Sequence, residues 1–148
     1  MKKRLKIAVA SPKIRLCDPE YNAKICAECA READTSGADV IVFPELVLTG
    51  ATLGDLYFQE ALLAASDSAL ISYINETSGL SVMSFIGAPI GNDGAPYNSV
   101  VCVSEGEIIG ISLSGLETRH FAPAPNESIE LSLGGISAEG ARDFVYTD

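Results

Sequence analysis

The chain has 148 residues, enough for one hydrophobic core and too few for two comfortable ones, so residues 1–148 read as a single domain. An apolar share of 47% against 20% charged residues describes a folded globular protein, and a net charge of -10 argues against nucleic acid or an anionic membrane surface as partner. No transmembrane run or signal-peptide core is visible, and four cysteines without secretory context suggest reduced thiols in a cytoplasmic protein.

The basic start Lys2-Lys3-Arg4-Lys6 reads as a solvated strand entry, with strand one over Arg4 to Ala10, ended by Ser11-Pro12. A loop through Asp18-Pro19-Glu20 leads to a helix over Asn22 to Ala33. Its apolar stripe is Ile25, Cys29 and Ala33, widened by Cys26 and Ala30, and Gly37 stops it. Asp39-Val40-Ile41-Val42-Phe43 is a short β-branched run that predicts a central strand buried on both faces. Pro44 cannot donate to a sheet ladder, so the strand ends there. Glu45 is then delivered at the mouth of an apolar core, facing a concavity, where removal from water suits a carboxylate to work as a base. Placing one acid at the carboxyl end of a strand is how an open α/β sheet builds a site.

Asp55 is the expected N-cap of a second helix, from about Leu56 to Thr77, closed by Gly79. Three apolar runs follow, Leu80 to Ile86, Tyr97 to Val103 and Glu107 to Leu113, separated by Asn92-Asp93-Gly94 and Glu105-Gly106. They predict an antiparallel meander, with Gly79, Gly87 and Gly94 as turn glycines. Beyond Gly115 the pattern weakens to an irregular His120 to Pro125, a short strand over Ile129 to Leu133 and a Gly134-Gly135 turn. Phe144-Val145-Tyr146 starts a further strand, and this apolar finish suggests a fragment. The order βαβα followed by consecutive strands gives an α/β mixed sheet with helices packed on it.

Cys26-Ala27-Glu28-Cys29 has metal or redox spacing, but it sits within a helix and the chain has one histidine. Reduced, metal-free core thiols are the expectation, and no metal site is assigned. Cys102 lies inside Val100-Val101-Cys102-Val103 as inert core. His120 is the one histidine available as a base, with no serine or cysteine partner marked. No phosphate-binding glycine loop is present.

Val42-Phe43-Pro44-Glu45-Leu46, Leu48-Thr49-Gly50 and Gly54-Asp55-Leu56-Tyr57-Phe58-Gln59 together resemble the nitrilase (carbon-nitrogen hydrolase) superfamily. Within it, they resemble the glutaminase domains of glutamine-dependent NAD synthetases. Gly87-Ala88-Pro89, Tyr97-Asn98, Gly106 to Gly110, Glu117 to Pro123 and Leu133-Gly134-Gly135 extend the likeness over roughly residues 5 to 147.

The resemblance implies half of an α-β-β-α sandwich, an incomplete nitrilase-type fold with a mixed sheet and helices on one face. It also implies glutamine amidohydrolase chemistry by a Glu-Lys-Cys triad supplying ammonia, with Glu45 as general base and Glu117 as a supporting acid. No cofactor is implied for this segment; ATP and Mg belong to a synthetase domain absent from the chain. Three departures stand out. No lysine occurs after Lys24, and Ile111 to Leu116 is shortened where a lysine is expected. The nucleophilic cysteine would lie beyond Asp148, and Ala51 replaces the usual aromatic after Thr-Gly. Loss of a nucleophile costs on the order of a million-fold, so the chain alone is expected to be inactive, and a homo-oligomer is expected from an uncovered sheet face. The alternative is a catalytically silent nitrilase-like scaffold or interaction module, which the missing lysine favours.

Overall fold

A computed structural model describes residues 4–142. The elements run β1 (Ile7–Val9), α1 (Pro19–Thr35), β2 (Val40–Val42), a 3₁₀ helix (Gly54–Phe58), α2 (Glu60–Glu76), β3 (Met83–Ile90), β4 (Tyr97–Ser104), β5 (Glu107–Leu113), β6 (Ile129–Leu133) and β7 (Ile136–Ala141). The strands form one seven-stranded sheet in the order β1-β2-β3-β4-β5-β7-β6. β1, β2 and β3 are mutually parallel, and β3 to β5 form the expected antiparallel meander. β7 runs parallel to β5 and antiparallel to β6.

Both crossovers, β1-α1-β2 and β2-α2-β3, step the same way along the sheet. Right-handed connections then place both helices on one face, and Arg31 of α1 meets Glu76 of α2 at 2.8 Å. Ile41, Phe43, Ile86, Val101, Val103, Ile111, Leu113, Leu131 and Leu133 point toward that layer and join the buried faces of both helices in one core. The Tyr73 ring meets Phe43 edge-on at 6.1 Å, and its hydroxyl donates to Ser84 Oγ at 2.7 Å, so α2 is tied to β3 by shape and by a hydrogen bond. Among the described residues no helix is long and apolar enough to cross a membrane.

Several expectations are corrected. β2 lies second from the sheet edge and is buried on one face only. Val42 on its other face is 37% exposed, beside Ile7 at 56% and Val9 at 82%, because no described layer covers that side. α1 begins at Pro19: Asp18 caps it by accepting the Tyr21 amide at 3.2 Å, and Pro19 fits the first turn, where its missing N–H costs nothing. Asp55 is not a cap but lies inside the 3₁₀ helix, and α2 starts only at Glu60. Gly87 is not a turn residue but sits within β3. β7 was not expected, and the strand expected over residues 144–146 falls outside the described residues. Both short hairpins use two residues at positive φ, Glu105-Gly106 and Gly134-Gly135, as twisted strands require.

The second hairpin docks on α2 through Asp67, whose carboxylate accepts the Gly134 amide. Burial pushes this acid up to about 6 from its usual 3.8. A folded-state value above the unfolded one means that the native state binds the extra proton, so stability is lost as pH rises from about 4 to about 6 and stays lower above that. Asp67→Asn, which keeps an acceptor without the charge, is expected to raise stability at neutral pH by on the order of 1 kcal/mol, allowing for partial solvent access. Urea unfolding at acidic and neutral pH checks this: the gain should vanish in acid.

Candidate functional site

The chain leaves β2 through Phe43, whose amide donates to Phe85 O at 2.9 Å, and then turns back on itself. Gly50 N and Thr49 N both donate to Leu46 O, at 2.7 and 3.1 Å, which closes an elbow over residues 44–50. Leu46 holds a left-handed φ of 52° while 2% exposed, a conformation an L-residue keeps only when its surroundings impose it. The imposing surface is β3. A side chain at Gly87 would lie 2.5 Å from Leu46 N and 2.6 Å from Pro44 O, so only glycine lets the elbow lie on the strand. The elbow's far end is held from below by the fully buried Asn22 of α1, whose side-chain amide donates to Leu48 O at 2.9 Å. It is also held by Tyr57, whose hydroxyl donates to Gly50 O; burial pushes that phenol up.

This scaffold presents Glu45 to a cleft of about 420 Å³, within the usual range for small-ligand sites. The cleft is lined by the elbow, by Thr52 and Tyr57, by Asn98 of β4, and by Thr118, His120 and Phe121 of the loop after β5. Asn98 Nδ2 donates to Glu45 Oε1. His120 Nε2 lies 3.1 Å from Asp55 Oδ1, and the Phe121 ring packs at 4.6 Å from Tyr57. Two pairs far apart in sequence thus meet at the cleft, Asn98 with Glu45 across 53 positions and His120 with Asp55 across 65.

Glu45 therefore faces a concavity, but its side chain is open to water, so the described residues do not supply the dry setting expected for it. Glu117 is exposed and is not among the cleft-lining residues, unlike its loop neighbours Thr118 and His120. Ala51 lines the cleft, at the place where the family resemblance implies an aromatic residue. Among the described residues no cysteine lines it. Cys102 is buried on β4 and Cys26 on α1, and burial pushes both thiols up, Cys26 to about 12. Cys17 is exposed in the loop before α1. Cys29 is half-buried, its thiol raised by burial and then by Glu32 and Glu28. Among the described residues no cluster of three or more histidine, cysteine or acidic side chains is placed to hold a metal. Asn98 escaped the sequence reading as a site residue; its one signal was the Tyr97-Asn98 pair within the family likeness.

A mixed sheet with both helices on one face, and a carboxylate presented in an elbow after a parallel strand, defines a nitrilase-like α/β domain. The sequence model for the carbon-nitrogen hydrolase family matches residues 6–135, and the chain belongs to that family. It is 34% identical over 142 residues to the glutamine-dependent NAD(+) synthetase of Thermotoga maritima, covering 90% of this chain and 24% of that protein. It is 27% identical over 150 residues to the corresponding synthetase of Mycobacterium tuberculosis, covering 96% and 22%. The chain thus spans about a quarter of the length of the curated relatives it matches. A glutamine-dependent NAD(+) synthetase from Cytophaga hutchinsonii superposes with a TM-score of 0.82 at 20% identity, over 92% of this chain and 25% of that one. An amidase from Nesterenkonia sp. gives 0.68 at 20% identity, over 91% and 54%. At these identities the two structures bear on the fold alone.

Gly87→Ala tests the elbow. The added methyl must displace Pro44 and Leu46 or bend β3, with an expected cost of roughly 1–3 kcal/mol in denaturant unfolding. The Asn98 side-chain amide signals should move in the NMR spectrum as the contact to Glu45 changes.

Proposed function

We propose that the cleft binds a primary carboxamide, and that the chain is the amide-recognising segment of a glutamine amidohydrolase supplying ammonia to an NAD synthetase. One observation carries the reading. Glu45 accepts a hydrogen bond from the carboxamide of Asn98, so the carboxylate already receives the type of N–H group that a substrate amide would bring. Membership of the carbon-nitrogen hydrolase family supports amide chemistry, and the likeness to glutamine-dependent NAD(+) synthetases supports glutamine as the amide.

In this reading Glu45 is the general base, which takes the proton of an attacking nucleophile, and Glu117 is a supporting acid acting from outside the cleft. ATP and Mg belong to a synthetase domain rather than to this cleft. With no thiol lining the cleft among the described residues, these 148 residues hold an amide without cleaving it. A silent binding or scaffold module is the second reading. It is favoured by Ile111 to Leu116, which carries no lysine although it leads into the loop that walls the cleft. The exposed apolar side of β1 and β2 supports a homo-oligomer in which a second copy covers Ile7, Val9 and Val42.

Titration with L-glutamine should shift the Asn98 side-chain amide signals, and unshifted signals at saturating ligand would overturn amide binding. Ammonia release should stay at background for the wild type, Glu45→Gln and Cys102→Ser alike. Release that Cys102→Ser abolishes would make that thiol a nucleophile and sink the account of an uncleaved amide. Light scattering should find a dimer or larger species that Val9→Glu with Val42→Glu reduces to a monomer. A wild-type monomer at high concentration would remove the oligomer.

A further inference from the structure

We propose that His120, held by Asp55, is a specificity-determining residue that takes the carboxylate of a ligand bearing both a carboxamide and a carboxylate. The inference rests on the amide reading of the same cleft and adds what selects among amides. The cleft would then prefer an ω-carboxamide acid to a plain aliphatic amide.

The ionisable residues lining the cleft are Glu45, Tyr57 and His120, and only His120 can carry positive charge. Its ring is fixed before any ligand arrives. Nε2 lies 3.1 Å from Asp55 Oδ1, the ring centroid sits 5.9 Å from that of Phe58 and 6.5 Å from that of Tyr57, and the His120 amide donates to Thr118 Oγ1 at 3.3 Å. Engaging Nε2 with Asp55 leaves Nδ1 as the ring nitrogen with no hydrogen-bond partner among the described residues. When the ring is protonated, both nitrogens donate, so Nδ1 can give a charge-assisted hydrogen bond to a carboxylate while Nε2 stays with Asp55.

The charged groups around the ring set the ligand's orientation. Asp55 faces it from the 3₁₀ helix, Arg119 precedes it on the same loop, and Glu45 stands on the elbow of the same cleft. Glu45 repels a carboxylate and accepts an amide N–H, so a ligand carrying both groups is directed amide toward Glu45 and carboxylate toward His120. Arg119 lies 3.7 Å from Asp55 but is 80% exposed, so it offsets that acid's charge only weakly. Asp55 does not line the cleft; it is a positioning residue.

The test compares glutaramate with valeramide, two amides of equal chain length that differ in a terminal carboxylate against a methyl group. Dissociation constants are measured by NMR titration of the whole chain. Wild type should prefer glutaramate by about tenfold, the expected worth of one charge-assisted hydrogen bond. His120→Gln should abolish the preference, and His120→Lys should restore it. Equal affinities in wild type, or a preference surviving in His120→Gln, would overturn the inference while leaving amide binding intact. Failure of either ligand to bind would overturn both.

Discussion

The side chain of Asn22 is the interaction on which the rest of the cleft depends. It is fully buried, accepts the Arg15 amide at 2.8 Å, and donates to Arg15 O at 2.7 Å and Leu48 O at 2.9 Å. A buried carboxamide satisfied at both ends is one of the few groups that can join irregular loops inside an apolar core without leaving a polar atom dry. Here it locks the loop before α1 and the elbow after β2 onto one helix. Without it, two backbone carbonyls and one amide would be left to find water where there is little room for any.

From that anchor the site follows as a sequence of constraints. The elbow can fold back only because β3 has no side chain at Gly87, and Leu46 accepts a left-handed backbone because the elbow holds it on both sides. Glu45 is therefore aimed by backbone packing rather than by its own contacts, and Asn98 completes its surroundings from the neighbouring strand. The opposite wall has a different origin. The loop after β5 is irregular; Asp55 and Tyr57 of the 3₁₀ helix engage its His120 and Phe121, and the Ala122 amide donates to Pro96 O at 2.9 Å beside them. One wall is held because it packs directly on the sheet, and the other because aromatic, charged and backbone contacts clamp it.

Much of this was legible in the residues. β5 and β6 have the expected bounds because turn signals flank both, and the elbow position of Glu45 followed from proline's inability to extend a ladder. What escaped has identifiable causes. Asp18-Pro19 looks like a loop until proline's suitability for a first helical turn is weighed against its reputation as a breaker. β7 reads Ile-Ser-Ala-Glu-Gly-Ala, too small and polar to announce a strand; it pairs because neighbours on both sides supply the ladder. Asp55 carries a capping residue's identity but spends it on a partner 65 positions away. The openness of β2's second face depends on what covers it, which no local pattern encodes.

The insertion of β7 between β5 and β6 has a kinetic side. The β3-β4-β5 meander and the β6-β7 hairpin each form from neighbouring residues, and contacts of that kind form fast. The parallel pairing of β5 with β7 has to span the intervening chain, including the loop that carries His120, before it returns any hydrogen bond. Docking of the hairpin is thus a non-local closure, and the stretch of chain it encloses is the one that supplies the second wall of the cleft. The elbow that aims Glu45 lies on β3 and so waits on the β2-β3 pairing, a still longer closure. Both walls of the cleft therefore depend on contacts distant in sequence rather than on the local hairpins.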